Sequence, residues 1–454
     1  MIGNFLQKKV VEDDEKALSA GTGSVSMPEI NSTIPVDASA GFWRKLFVFA
    51  GPGFLIAVGY MDPGNWATDL AGGARFGYTL LSVIMISNLM AILLQHLSLK
   101  LGIVTGHDLA QECRHSYSHS FTIFLWVLCE IAIAACDLAE VIGSAVALNL
   151  LFGIPLVIGV ILTAMDVLIV LYLQNKGFRY IEALVAGLIA VIGFCFIYEL
   201  VLSNPSWSGV LGGFVPQSEI IVNPGMLYIA IGILGATVMP HNLYLHSSIV
   251  QTRKYLRSAQ GKEMAIKFGT IDSTGALMVA LFINASILIL SAAAFHGSGH
   301  QDVADINDAY KLLTPLLGAP VASIFFGVAL LASGQNATLT GTMAGQIVME
   351  GFLNLRLRPW VRRLLTRMVA IIPAVIVAAL YGEKGIGNLL ILSQVILSLQ
   401  LSFAVIPLVS FTSDELRMGK FVNTPFLKYL SWAIALIIAL LNAFLLYQVI
   451  QTVL

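Results

Sequence analysis

Asp62-Pro63-Gly64-Asn65 and Met239-Pro240-His241-Asn242 share one form: a ligating side chain, then proline, one further residue and asparagine. Each stands inside a long apolar stretch. Proline has no amide hydrogen, clashes with the preceding turn and pushes the residue before it out of helical geometry. Asp62 and Met239 are therefore expected where two helices unwind. Unwound backbone at membrane depth is tolerated only where protein buries it or where it lines a cavity. A matched pair of interrupted helices in the two halves of a chain points to the substrate site of a transporter.

Composition supports the membrane reading. The 454 residues are 57% hydrophobic and 11% charged, with a mean hydropathy of +0.85, whereas a soluble domain carries about 25% charged residues. A formal net charge of -1 gives no basic bias toward nucleic acid. Residues 1–41 contain no apolar run and lack the layout of a signal peptide, so a cytosolic, partly disordered tail is expected, with the transporter domain spanning 42–454. Cys113, Cys129, Cys136 and Cys195 form no CxxC pair and read as buried reduced thiols.

Apolar segments of spanning length, roughly 20 residues, fall near 46–72, 79–101, 121–149, 153–173, 180–202, 225–250, 266–296, 318–345, 367–382, 387–411 and 428–451. The expectation is an all-α polytopic protein with eleven transmembrane helices. With the N-terminus inside, every one of the 25 Lys and Arg residues except Arg75, Lys311 and Lys384 lies on the inner side. The positive-inside rule thus places the N-terminus in the cytoplasm and, after eleven spans, the C-terminus outside. Helices 1–5 (about 46–202) and 6–10 (about 225–411) then have opposite topology, and the interrupted motif opens each set. That is the pattern of a five-plus-five inverted repeat with unwound helices 1 and 6, followed by helix 11 at about 428–451.

From Leu46 to Tyr60 the first segment holds 15 residues, roughly 22 Å of helix, too short to cross alone. Its terminal carbonyls, Gly59 among them, should point to the midplane, as should those of the half-helix ending near Ala236. Helix C-termini carry partial negative charge, and two of them beside a carboxylate suit a cation. Asp62 and Asn65 offer hard oxygens and Met239 a soft thioether. Oxygen alone would suit magnesium or calcium; added sulfur favours divalent manganese, iron, cobalt or cadmium. A lone Met in an apolar helix is ordinarily packing; Met239 stands apart because it fills the slot that matches Asp62. His241 reads equally as a hydrogen-bonded structural residue or a proton carrier.

Glu130, Asp137 and Glu140 share one face of the third segment. Three carboxylates in one apolar span must share protons, pair with cations or line water. Arg362 and Arg363, just before the ninth segment, are the expected partners. The group reads as a proton exit route, or else as a static ion-pair cluster. Asn88, Gln95, His96, Asn284 and Gln394 read individually as interhelical glue.

Asp62-Pro63-Gly64-Asn65, Met239-Pro240-His241 and the stretch from Gly334-Gln335-Asn336-Ala337-Thr338 to Gly345-Gln346 resemble the Nramp family of divalent metal transporters. The resemblance covers roughly 42–452 and implies a LeuT-like fold. It implies a metal bound by Asp62, Asn65 and Met239, with carbonyls near Gly59 and Ala236, and Gln394 as a further ligand. It implies a proton path through Asp62, His241, Asp137 and Glu140 toward Arg362 or Arg363, with His246 a second candidate. Cys136 stands where some relatives have Thr, and Gly59 where Ala is common. The methionine argues against the magnesium- and aluminium-handling branches.

The function expected is proton-coupled import of Mn2+ or Fe2+, with Co2+ and Cd2+ also carried, by alternating access in the cytoplasmic membrane. Metal ions, protons and lipid are the only partners expected, with no cofactor, no nucleic acid and a monomeric carrier. A sodium-coupled amino-acid carrier of the same fold would want no carboxylate at the break. An intramembrane metalloprotease would need HExxH, and His241 and His246 enclose no acid.

Overall fold

The computed structural model describes residues 26–163, 176–299, 306–319, 321–355 and 386–453, with isolated positions at 301 and between 357 and 376. The architecture is helical. In chain order the main elements are α1 (Phe42–Phe49), α2 (Pro52–Gly59), α3 (Pro63–Phe76), α4 (Leu81–Thr105), α5 (Leu109–Ser116), α6 (His119–Phe152), α7 (Leu156–Thr163) and α8 (Phe178–Ser203). They continue with α9 (Pro224–Thr237), α10 (Pro240–Ile249), α11 (Ala259–Ser291), α12 (Ala322–Leu353), α13 (Ile386–Thr412) and α14 (Pro425–Val453). Eight described spans, one of them the broken Pro224–Thr252, are long and apolar enough to cross a membrane, and the bent pair α1–α2 makes a ninth. Of the fourth expected span only 153–163 is described, with Leu156–Thr163 helical. Arg362, Arg363 and all but isolated positions of the ninth span lie outside the described residues.

Both interruptions fall where the prolines demand them. The first helix stops at Gly59 and resumes at Pro63, and the second stops at Thr237 and resumes at Pro240. In each case proline takes the first helical position, where its missing amide costs nothing.

The single half-helix expected from Leu46 to Tyr60 is instead two eight-residue helices, α1 and α2, bent by 44°. The cause is Gly51-Pro52: Gly51 has φ +142°, a conformation other residues avoid, and Pro52 opens α2. Asp272 of α11 stabilises the new start by accepting from the Gly51 amide at 3.3 Å and the Gly53 amide at 2.7 Å. A carboxylate at a helix N-terminus meets orphan N–H groups and the positive end of the dipole.

Around the breaks the bundle packs tightly. α6 lies along α12, α11 along α4, and α13 along α9 and α6. Trp66 is fully buried between Phe196 and Phe326, with ring centroids 4.9 and 5.2 Å away. Its indole N–H donates to Met61 O at 3.2 Å, so the largest side chain in the core also secures the unwound backbone. Large apolar side chains on the outer faces, such as Phe194, Ile197, Val201 and Leu436, are exposed, as lipid contact requires. Polar side chains are turned inward, inverting the soluble arrangement. The four cysteines are free and buried, as expected.

Arg253 follows α10 and is buried. It pairs with Glu182 of α8 at 2.5 Å and donates to Val48 O, Phe49 O and Ala50 O, gathering the α1–α2 bend, α8 and the end of α10 into one knot. The described part of the N-terminal tail is packed here. Ile34–Pro35 pairs in parallel with Arg253–Lys254, and the Met27 amide donates to Glu350 of α12 at 2.9 Å.

Candidate metal site

Unwinding leaves carbonyls without helical donors, and side chains answer several of them. Tyr60 O accepts from Asn284 Nδ2 at 2.7 Å. Met61 O accepts from Ser333 Oγ at 2.5 Å as well as from Trp66. Ile56 O accepts from Asn242 Nδ2 at 3.2 Å. Two carbonyls are treated differently. Gly59 O and Ala236 O, one from the end of each interrupted helix, both accept from Asn65 Nδ2, at 3.2 and 3.1 Å.

The same nitrogen donates to Asp62 Oδ1 at 2.6 Å. Three oxygens therefore converge on one atom. An amide nitrogen has two hydrogens, so it cannot satisfy three acceptors at once, whereas a cation has no such limit. Rotating the Asn65 amide by half a turn would present its oxygen to the same point and bring the set to four.

Asp62 is held in place by local structure. It is the N-cap of α3, accepting from the Asn65 amide at 2.8 Å, which joins the carboxylate to the positive end of one helix. The ends of α2 and α9 bring negative dipole ends to the same place. The second carboxylate oxygen accepts from Gln394 Nε2 of α13 at 3.4 Å. Gln394 Oε1 is buried with no hydrogen-bond partner among the described residues, an acceptor that costs free energy unless something satisfies it. Asp62, Asn65, Ala236, Met239 and Gln394 are all buried, so a charged group brought here is cut off from bulk water.

Met239 lies beside Gly59, at the edge of this cluster. It packs on Ala132 and Cys136 of α6 and on Leu397 of α13. Gly59 makes the approach possible: a Cβ there would lie 3.0 Å from Met239 Sδ and 2.1 Å from Asn242 Nδ2. The glycine found where Ala is common is thus filled by the sulfur and the Asn242 amide.

From Met239 a polar line leads away along α6. His241 Nε2 is 3.9 Å from Cys136 Sγ, and Cys136 Sγ is 3.5 Å from Glu140 Oε1. Asp137 and Glu140 are buried against α12, where Gly341 makes room: a Cβ there would lie 2.9 Å from Glu140 Oε1 and 3.2 Å from Asp137 Oδ1. The cysteine noted as a departure is the link between histidine and carboxylate. Glu130, two turns away, accepts from Trp126 Nε1 at 3.0 Å.

His246 stands apart from this line. Its Nδ1 lies 2.9 Å from Gln95 Oε1, and Gln95 Nε2 donates to Tyr60 OH at 3.0 Å. Residues that sequence reasoning passed over are Tyr60, Asn242, Ser333 and Gly341. Asn242 had a signal, since it closes the second motif as Asn65 closes the first; Gly341 lies in the stretch that carries the family resemblance, without a role assigned to it, and Tyr60 and Ser333 show no pattern along the chain.

An all-helical bundle with two interrupted helices meeting at a buried oxygen and sulfur cluster defines a membrane transporter architecture. Residues 53–448 match the family described as natural resistance-associated macrophage protein-like, and the chain belongs to this family, Nramp. A Listeria welshimeri protein named divalent metal cation transporter MntH is 62% identical over 447 residues, 98% of this chain and 100% of its own. A Nostoc protein of the same name is 64% identical over 423 residues, 93% of this chain and 96% of its own. The crystal structure of an Eremococcus coleocola manganese transporter, bound to an aromatic bis-isothiourea compound, gives a TM-score of 0.86 at 43% identity, over 92% of this chain and 90% of that one. MHP1, a nucleobase-cation-symport-1 family transporter, gives 0.54 at 17% identity, over 80% of this chain and 78% of its own, a likeness of fold alone.

Proposed function

We propose that this protein is a secondary transporter that imports divalent transition metal ions, Mn2+ foremost and Fe2+, Co2+ and Cd2+ besides, together with protons. The observation that carries the reading is the convergence of Asp62 Oδ1, Gly59 O and Ala236 O on one point between the two helix breaks. Met239 and Gln394 flank it. The names of the Listeria, Nostoc and Eremococcus relatives support the same cargo.

In this reading Asp62, Asn65, Met239 and Gln394 hold the ion with the carbonyls of Gly59 and Ala236. Asp62 supplies the charge that offsets dehydration, and the Met239 thioether favours softer ions over Ca2+ and Mg2+. His241, Cys136, Asp137 and Glu140 form the route by which a proton displaced from the site leaves, and Glu130, Arg362 and Arg363 continue it. His246 acts in the separate Gln95–Tyr60 network. Inside-negative potential contributes about 2.3 kcal/mol per charge per 100 mV to uptake.

The bundle works as a monomer in the cytoplasmic membrane, with its basic loops inside and its C-terminus outside. Eleven spans in a five-plus-five inverted repeat rock around the fixed site in alternating access, with no enzymatic step and no resident cofactor. A sodium-coupled amino-acid carrier is the competing reading, and the buried carboxylate at the break weighs against it. Liposomes loaded with a metal dye and a pH dye test the proposal. Saturable Mn2+ uptake with internal acidification, resistant to excess Ca2+, is the expected result. Uptake of an amino acid that needs Na+ and no metal would overturn it.

A further inference from the structure

A second group of side chains with metal-ligand chemistry lies away from the transport site, at the end of the bundle that carries the basic loops. Helix α4 ends on Gly106 in the left-handed conformation, φ +79°, and the chain turns at His107. Asp108 then starts α5 with a capping box: its side chain accepts from the Gln111 amide while Gln111 reaches back to the Asp108 amide. The Leu109 amide donates to Ser247 Oγ of α10 at 2.9 Å, and His107 N to Thr105 Oγ1 at 3.1 Å. The turn is therefore held at both ends.

On this frame Glu112 and His115, three residues apart, share one face of α5, and His107 faces them from the turn. One ligand atom from each of the three lies within 4.8 Å of the others. His107 Nδ1 is 3.0 Å from Glu112 Oε1, and the two imidazole rings meet edge to face with centroids 4.9 Å apart. Glu112 Oε2 is held by Arg417 Nη1 at 2.8 Å, and Arg417 in turn donates to Ser116 and Asp414. This is how outer partners orient a metal-binding carboxylate, leaving Oε1 turned to the histidines. The carboxylate is buried, His107 is half-buried and His115 exposed, so the group opens to water on one side.

Two imidazoles this close repel each other when protonated; neutral, they fit a shared cation. We infer that His107 Nδ1, Glu112 Oε1 and a ring nitrogen of His115 bind one divalent transition metal ion, of the borderline class that includes Zn2+, Co2+ and Fe2+, with water completing its shell. Two nitrogens and one oxygen favour these ions over Mn2+ and Mg2+, which separates this site from the oxygen and sulfur site at the helix breaks. On the orientation proposed above the site faces the cytosol and samples the ion pool there. α5 packs on α10, α12 and α13, so the helix that carries two of the ligands touches the second interrupted helix.

Untagged full-length protein in lipid nanodiscs, carrying Asp62→Ala to remove the transport site, is titrated with Co2+ and followed by visible absorption. One Co2+ per chain is expected, with a ligand-field band of the intensity that nitrogen ligation at low coordination number produces. His107→Ala with His115→Ala in the same background should weaken binding at least tenfold and lose the band. Glu112→Gln, which keeps the shape, should weaken it too, while His119→Ala should not. No Co2+ on the Asp62→Ala chain, or unchanged binding in the double histidine variant, overturns the inference. Metal uptake by the double variant with Asp62 intact shows that it folds. Co2+ binding by the Asp62→Ala chain alongside a native chain that carries no metal would sink the transport reading and leave this one standing.

Discussion

The Asn65 amide nitrogen lies 3.1 Å from Ala236 O, so a side chain from the first helix break closes on the backbone of the second, 171 residues further along. Asn242 of the second motif returns the link, donating to Ile56 O of the first helix at 3.2 Å. The Asn65 contact ties the geometry of both interrupted helices to one amide, and it makes the cluster a shared property of the two halves.

Asp62→Ala removes the carboxylate of that cluster and the N-cap of α3 together, and should abolish Mn2+ uptake. Asp62→Asn keeps the cap, whose loss alone costs about 1 kcal/mol, and should fold as well as the native chain yet still fail to transport. Uptake by reconstituted Asp62→Asn above the empty-liposome rate would refute the assignment of the charge.

Met239→Ala takes away the sulfur and leaves every oxygen. Manganese uptake should persist, while Ca2+ or Mg2+ becomes an effective competitor. A tenfold gain in Ca2+ affinity corresponds to about 1.4 kcal/mol. Measuring Mn2+ uptake against rising external Ca2+ gives the answer, and intact selectivity would remove the thioether argument.

Gly64→Ala should disable the site without unfolding the protein. A Cβ at Gly64 would lie 1.6 Å from Gln394 Nε2, so Gln394 must leave Asp62, while alanine favours the helix by about 1 kcal/mol over glycine. Manganese uptake should show a KM raised roughly tenfold, about 1.4 kcal/mol. Adding Gln394→Ala should cost nothing further, because the two changes remove the same contact. Additive losses in the double-mutant cycle would contradict this.

Arg253→Ala takes from Glu182 its buried cation and leaves only the more exposed Arg179, 3.1 Å away; breaking a buried pair costs about 3–5 kcal/mol, and Arg179 should hold the loss to the lower end. The thermal midpoint of purified protein in detergent should fall. Replacing both residues, Arg253→Met with Glu182→Leu, should recover most of the loss. A double variant no more stable than Arg253→Ala would mean that the donations to Val48 O, Phe49 O and Ala50 O carry the effect instead.

The helix breaks were legible because proline acts locally: Asp62-Pro63 and Met239-Pro240 announce their own backbone. The α1–α2 bend was legible by the same rule at Gly51-Pro52, but an unbroken apolar run masked it. Family resemblance supplied Gln394, which is 332 residues from its partner Asp62. No pattern along the chain marks Arg253 and Glu182 as partners, or Ile34–Pro35 as the strand that meets Arg253–Lys254. Such pairings depend on how helices are arranged in space. Gly341 was unreadable for a related reason: in an apolar helix a glycine that makes room for carboxylates looks like any other small residue. The capping box at Asp108 and Gln111 carries a sequence signature, yet it sits in a connection that a search for spans passes over.

The two-residue ladder between Ile34–Pro35 and Arg253–Lys254 ties the chain just ahead of α1 to the chain just beyond α10. In the rocking scheme proposed above, the two interrupted helices are yoked at one end by a strap made of the tail itself. A tug on either is passed to the other through main-chain bonds, which only the loss of an amide hydrogen, as in Val36→Pro, would cut. Trimming the tail beyond residue 35 would unhitch them, and fused partners or crosslinks placed there would pull on both.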